Sequence, residues 1–563
     1  MRQAGPVLTT IALAALLLFP ATAPADAAAD KPGRDQLTIG ITQYPSTFHP
    51  NIDSMVAKSY ILGFTRRPFT VFDQSWQLVC MLCTKLPTIE NGLAVPETTP
   101  SGKKGIAVTY TIRPDAVWGD GTPITTKDVQ FTWRMGRHGK TGILPIEFYR
   151  SAYKLDARDD KTFTLHFDKL TFDYNAINSF SLIPAHVDEV NFDADPANYK
   201  NKTAFDTQTT NEALYFGPYL ITETKRGSYV VLERNPKWWG KPGAFKRIVV
   251  KVIPNTAALE ANLLSGSIDM ISGELGFTVD QALRFEKRHG RKFRILYKPG
   301  LIYEHIDLNQ DNPLLKNRDI RHALIYAIDR EAISKQLFGG RQPVADSSVN
   351  PLDWVHADDV PKYKYSPKKA LELIVKAGYT KLVQGVRHHK DTGEPLRFEF
   401  MTTAGSKVRE LVQQVLQSQW KAVGIDARIR NEPARVYFGQ TVTQRKFTAM
   451  AMYAWLSAPE SVPRTSLHSA HIPTEANGWA GQNYTGFKNA EMDELIERIE
   501  VELDKPKRKE LWKRLQEIYV TELPVIPLYF RAEPYIMPKW LTGVKPTGHQ
   551  YSTSLWVENW GVK

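Results

Sequence analysis

This sequence predicts an α/β protein with more than one domain, and three observations carry that reading. Residues 108–112, 163–167, 229–232 and 248–253 read as strands, by apolar alternation or as short apolar runs. Helical stripes follow in the later part of the chain, so helices and strands are mixed rather than confined to one class. The 563 residues, 42% apolar and 23% charged, have a globular composition and enough length for several cores.

At the N-terminus, Arg2, an apolar run over residues 7–19 and small residues over 21–29 form the pattern of a secretory signal peptide, assigned to residues 1–29. The run is shorter than the roughly 20 residues a membrane-crossing helix needs, and no later stretch is long and apolar enough. Ala23, Ala27 and Ala29 are alternative cleavage positions, none with a Cys beside it for a lipid anchor, so the periplasm is the expected location. Cys80 and Cys83 are the only cysteines, and in an oxidising compartment they are expected to form one local disulfide. A reduced pair and a redox or metal site are the alternatives; the apolar neighbours and the lack of an adjacent His weigh against them.

The strand at 108–112 runs into the turn residues Gly119-Asp120-Gly121-Thr122-Pro123. A helix then opens with Thr125 as N-cap and Asp128 in the first turn, where the helix dipole favours an anion. Further on, Asp319 is read as the cap of a helix burying Ile320, Ala323, Leu324, Ala327 and Ile328. Ser366-Pro367 opens another that Gly378 closes. Leu411, Val415, Trp420 and Val423 line a third, and Leu511, Leu515 and Ile518 a fourth that ends before Pro524.

The formal net charge of +12 is unchanged without residues 1–29, which hold one base, Arg2, and one acid, Asp26. The basic residues are dispersed, as at Lys31, Arg113, Lys246, Lys316 and Lys507, with no dense block, which argues against nucleic acid as a partner.

Trp118 ahead of Asp120-Gly121-Thr122-Pro123 is one of a collinear set of motifs. The others include Phe216-Gly217-Pro218-Tyr219, Asn235-Pro236-Lys237-Trp238-Trp239, Leu264-Ser265-Gly266-Ser267-Ile268-Asp269, Ile320-Arg321-His322-Ala323-Leu324, Asn483-Tyr484 and Leu523-Pro524-Val525-Ile526-Pro527. Their order over residues 35–535 resembles that of the bacterial extracellular solute-binding proteins of family 5, the peptide and nickel class. The resemblance implies a class II periplasmic binding protein-like fold, a hinged two-lobe clamp with an additional inserted domain. Lobe I would comprise residues 33–70, 209–300 and 525–563, the inserted lobe II residues 71–208, and lobe III residues 301–524, with hinge crossings at 297–307 and near Pro524. It also implies a monomeric receptor that takes no cofactor and closes on a small peptide or peptide-like ligand. The loaded receptor would then dock on an ABC transporter permease and its ATPase subunits in the inner membrane.

The same resemblance places Tyr44 and Phe48 at one edge of the cleft and Asn483 and Tyr484 on the opposite lobe. Between them lies Tyr453-Ala454-Trp455-Leu456-Ser457-Ala458-Pro459-Glu460. In peptide-binding relatives the matching loop carries an Asp a few residues after the Trp, which holds the peptide's ammonium group. Here Ser457 and Ala458 stand in that place, so a free-amino peptide needs another carboxylate, for which Glu460 is the candidate. Arg464 could instead pair with an anionic cargo, and a blocked peptide, an opine-like solute or a metal complex stays open. The candidate site is therefore Tyr44, Phe48, Tyr453, Trp455, Ser457, Glu460, Arg464, Asn483 and Tyr484, with no catalytic residue and no metal ligand. His468 with His471, and His388 with His389, are read as exposed loop residues. A secreted hydrolase is the rival from another class, but neither a Gly-x-Ser-x-Gly elbow nor a His-Glu-x-x-His helix is present. A sensor or chaperone-like protein of the same fold remains an alternative.

Overall fold

The signature segment folds as its chemistry dictates. In the computed structural model, Thr125 and Asp128 form a capping box at the start of the helix Thr126–Arg137. The Asp128 carboxylate also takes the indole N–H of Trp118, itself fully buried, at 3.3 Å. Gly121 adopts φ 96°, a left-handed turn conformation open to glycine. The structure describes residues 34–563 apart from 53–54, 139–140, 144–145, 478 and 480; the signal peptide assigned to residues 1–29 lies outside the described residues. No helix among the described residues is long and apolar enough to cross a membrane.

Residues 35–563 form one unit built on a ten-stranded mixed sheet. Its strands run in the order Asp426–Ile429, Arg397–Met401, Met450–Trp455, Phe293–Leu308, Val525–Pro538, Met270–Ile271, Gln36–Ile41, Arg247–Val252, Tyr229–Arg234 and Tyr219–Lys225. Gln36–Ile41 pairs in parallel with both neighbours, whereas the two long central strands are antiparallel, with Tyr303 opposite Phe530 and Asp307 opposite Val525. Those strands, of 16 and 14 residues, run through the middle of the molecule and are shared by both halves of the sheet. A separate four-stranded antiparallel sheet holds Ala94–Thr98, Lys104–Thr111, Thr162–Phe167 and Ala152–Ala157.

The apolar residues gather into several cores. The largest joins Leu37, Tyr60, Trp118, Phe163, Val250 and Trp560; a second joins Ile306, Leu324, Phe400, Trp420 and Ile526; a third is centred on Leu495, Trp512 and Ile518. Mixed sheet, interleaved helices and several cores match the α/β class read from the sequence.

Three local expectations are corrected. The helix Arg318–Tyr326 is capped by Asn317, whose side chain accepts from the Asp319 amide at 2.9 Å, so Asp319 sits in the first turn rather than at the cap. In Lys407–Ala422 the buried face is Val412, Gln413, Leu416 and Trp420, while Leu411 is 47% exposed. His468 is 7% exposed rather than solvated, and faces Glu497 and Asp493.

Cys80 and Cys83 form a disulfide, with Cα atoms 5.3 Å apart. Replacing both with Ser should lower the free energy of unfolding by only about 2 kcal/mol, because a loop this short had little freedom to lose when unfolded. Urea denaturation checks this; a loss more than twice as large would point to packing at this corner rather than chain entropy.

Candidate functional site

Where Phe293–Leu308 runs between Val525–Pro538 and Met450–Trp455, the structure encloses a cavity of about 190 Å³. Alternation along Phe293–Leu308 turns Tyr303, His305 and Asp307 toward it and sends Glu304 to the opposite face. The wall is a stack of rings. His305 lies parallel to Tyr303 at 5.0 Å and to Trp455 at 6.5 Å, meets Tyr453 edge-on at 4.5 Å, and Trp455 stacks on Tyr484 at 6.0 Å. Such a wall offers large apolar area with few rotamers to freeze.

Polar groups interrupt the wall at a few points. The Tyr453 hydroxyl donates to Asp307 at 2.5 Å, and the Tyr303 and Tyr519 hydroxyls lie 2.9 Å apart. His305 Nδ1 faces the Tyr303 carbonyl at 3.2 Å, which places the ring proton there. Its Nε2 stands 3.3 Å from Asp307 but out of line for a hydrogen bond, and has no other partner among the described residues. Asp353 lines the same cavity; its carboxylate accepts from the Glu460 amide at 2.6 Å and the Val355 amide at 3.4 Å, and burial pushes its pKa up to about 6.

The nine residues named from the sequence divide. Trp455 and Ser457 line the cavity, and Tyr453 and Tyr484 pack behind Trp455. The Tyr484 hydroxyl is pushed up to about 12 by burial. Asn483 is fully buried and spends its side chain on its own loop, donating to the carbonyls of Leu467, His468 and Phe487. Glu460 is claimed by Arg508, and by the Trp354 indole at 2.9 Å. Arg464 pairs with Glu500. Tyr44 and Phe48 meet edge-on at 5.9 Å against the largest core, away from this cavity.

Tyr303, His305, Asp307 and Asp353 were missed. The first three had a legible signal: the segment read as a hinge crossing alternates polar and aromatic residues on one face. Asp353 had none, being a lone acid in a loop.

A ten-stranded sheet with a ring-walled cavity beside its long central strands invites comparison with known proteins. Residues 89–473 match the bacterial extracellular solute-binding proteins, family 5 (middle region). The chain belongs to that family. This family 5 protein is 28% identical over 483 residues to the oligopeptide-binding protein AppA of Bacillus subtilis, covering 82% of this chain and 83% of that one. To the oligopeptide-binding protein OppA of the same organism it is 24% identical, over 92% and 91% of the two chains. Among solved structures, the oligopeptide-binding protein of Thermus thermophilus, complexed with a pentapeptide, superposes with a TM-score of 0.72 at 30% identity, covering 94% of this chain and 96% of that one. The family 5 protein is thus a substrate-binding protein of the ABC-importer type, with the fold of its family, and that family is one of extracellular solute binders rather than enzymes.

Proposed function

We propose that this family 5 protein is the periplasmic receptor of a peptide importer. After removal of residues 1–29 it grips a peptide or peptide-like solute between residues 33–70, 209–300 and 525–563 on one side and residues 301–524 on the other, with residues 71–208 inserted. The observation that carries this reading is the ring-walled cavity beside the strand Phe293–Leu308, whose lining residues, Val525 apart, all fall between Leu301 and Tyr519, on the second side of that clamp. A guest held there favours the closed form by the contacts that the opposite side adds on closing. A permease with ATPase subunits that recognises the closed form then accepts the cargo. The oligopeptide named for AppA, OppA and the Thermus protein supports peptide as the cargo class. Trp455, Ser457, Tyr453 and Tyr484 form the aromatic end of the site, with Tyr303, His305, Asp307 and Asp353 added to it. Glu460 and Arg464 act in support, through Arg508 and Glu500.

Ser457 turns its hydroxyl to the Ala458 carbonyl at 3.2 Å.

Native mass spectrometry of the protein taken from its own periplasm, followed by release and sequencing of what it holds, tests the reading. Peptides are expected. Recovery of a metal chelate alone, with no peptide binding in calorimetry, would remove peptide as the cargo while leaving the clamp.

A further inference from the structure

The charge of the ring-walled cavity is one-sided. Two carboxylates, Asp307 and Asp353, stand among its lining residues, and no lysine or arginine does among the described residues. Arg464 and Arg508, each a short way along the chain from lining residues, are spent on Glu500 and Glu460. Asp353 is satisfied by the amides of Glu460 and Val355. Asp307 is 4% exposed; among the described residues its carboxylate accepts only from the Tyr453 hydroxyl and forms no ion pair with a lysine or arginine.

A buried carboxylate with one hydrogen bond and no cation is costly in a folded protein, and it persists where a ligand supplies the cation. A second observation points the same way. His305 is 1% exposed, and its Nε2 stands 3.3 Å from Asp307 with no hydrogen-bond partner among the described residues. With the ring proton on Nδ1, Nε2 and the facing Asp307 oxygen are both acceptors, so the pair lacks a donor. We propose that Asp307, with His305, is the counterion that holds an ammonium group of the cargo inside the cavity. An ammonium brings several N–H donors, enough for the Asp307 oxygen and for His305 Nε2 together. The rings of Tyr303 and Trp455, which line the same cavity, attract a cation to their faces.

This rests on the peptide reading above and deepens it. Asp307 supplies, from the strand Phe293–Leu308, the negative charge that Ser457 and Ala458 leave out of the loop after Trp455. Strand and loop line one cavity, so the charge reaches the same space from a different element. Like charges brought face to face in a buried contact repel, so a carboxylate or phosphate of the cargo is kept out of this cavity. An α-ammonium and a lysine side chain share the chemistry that Asp307 recognises, and the choice of peptides distinguishes them.

Calorimetric titration of wild type and Asp307→Asn with trialanine, N-acetyl-trialanine and N-acetyl-lysyl-dialanine tests this. Wild type should bind an amine-bearing peptide about 30-fold tighter than N-acetyl-trialanine, and whichever of the two does so names the α-ammonium or the side chain as the source. Asp307→Asn should bring that preference below about threefold, through weaker binding of the amine. Asp307→Ser, which keeps an oxygen acceptor for the Tyr453 hydroxyl, takes its place if the asparagine variant does not fold. A further arm needs no peptide: propylammonium chloride should raise the melting temperature of wild type, relative to sodium chloride at equal ionic strength, and leave the Asp307 variant unmoved. Equal binding of the three peptides by wild type, or a preference that survives in the variant, overturns the subsite and leaves the peptide reading in place. If no peptide binds but propylammonium still discriminates wild type from the variant, the subsite stands and the peptide reading falls. With no response to either peptides or propylammonium, the subsite falls.

Discussion

Trp455→Ala should weaken cargo binding by about 100-fold, roughly 2.7 kcal/mol, because it removes the central ring of the cavity wall. Trp455 stacks on Tyr484 and lies parallel to His305, so truncation takes away both the face a guest would touch and the support for the rings beside it. The residue is half-buried at the end of the strand Met450–Trp455 and only edges the small core of Met401, Tyr437, Phe447 and Tyr453, so the fold should lose little: a melting temperature within a few degrees of wild type is expected. Trp455→Phe keeps a ring at that place and should recover most of the affinity. Calorimetry with the released cargo, beside a thermal melt, separates binding from folding. An affinity within threefold of wild type for Trp455→Ala would move the binding site elsewhere.

Glu304→Gln should be the most destabilising single change, by about 3 kcal/mol, since it strips the anion from two guanidinium groups at once. Glu304 is fully buried; Arg409 Nε reaches one of its oxygens at 2.6 Å and Arg531 pairs with the other. The Arg531 side chain is 35% exposed and can recover some hydration, which keeps the effect at the lower end of the range for a broken buried pair. Burial alone would raise the Glu304 pKa, but Arg531 and Arg409 outweigh it and hold the carboxyl below its usual value. A carboxyl depressed in the folded state contributes stability that is present above its unfolded pKa, about 4.3, and lost as pH falls through the folded value. The gap between wild type and Glu304→Gln in guanidinium denaturation should therefore be full at pH 7 and close below about pH 4. A gap unchanged at low pH would show that the variant acts through packing rather than charge.

Because this triad sits on the face of Phe293–Leu308 opposite Tyr303 and His305, one strand serves two tasks. Its outer face braces the crossing and its inner face lines the cavity, so Glu304→Gln should affect cargo affinity through the geometry of the crossing rather than by contact.

Much of the architecture was legible in the sequence. The capping box of Thr125 and Asp128, the turn at Gly121 and the opening of Pro367–Lys376 at Ser366 are local chemistry, decided within a few residues. Where a local reading slipped, a neighbour competed: Asn317 displaced Asp319 as cap because its side chain reaches the Asp319 amide from two residues earlier. The site was legible only in part. Trp455 and Ser457 came from a motif, and they line the cavity. Glu460, Arg464 and Asn483 stood at plausible positions, yet their partners Arg508, Glu500 and the carbonyl of Phe487 occupy them. A charged side chain in a sequence shows what it could bind, not which of many candidates reaches it first.

By itself the sequence determined the α/β class, the family, the helix starts at Thr125 and Ser366 and the disulfide pair, because periodicity, capping and turn chemistry act over short spans and motif order survives divergence. Only the tertiary structure decided that Tyr303, His305 and Trp455 form one wall and that Glu304 takes two arginines. Those outcomes depend on how strands distant in the chain are ordered in one sheet, and sheet order is set by the packing of whole cores rather than by any local pattern.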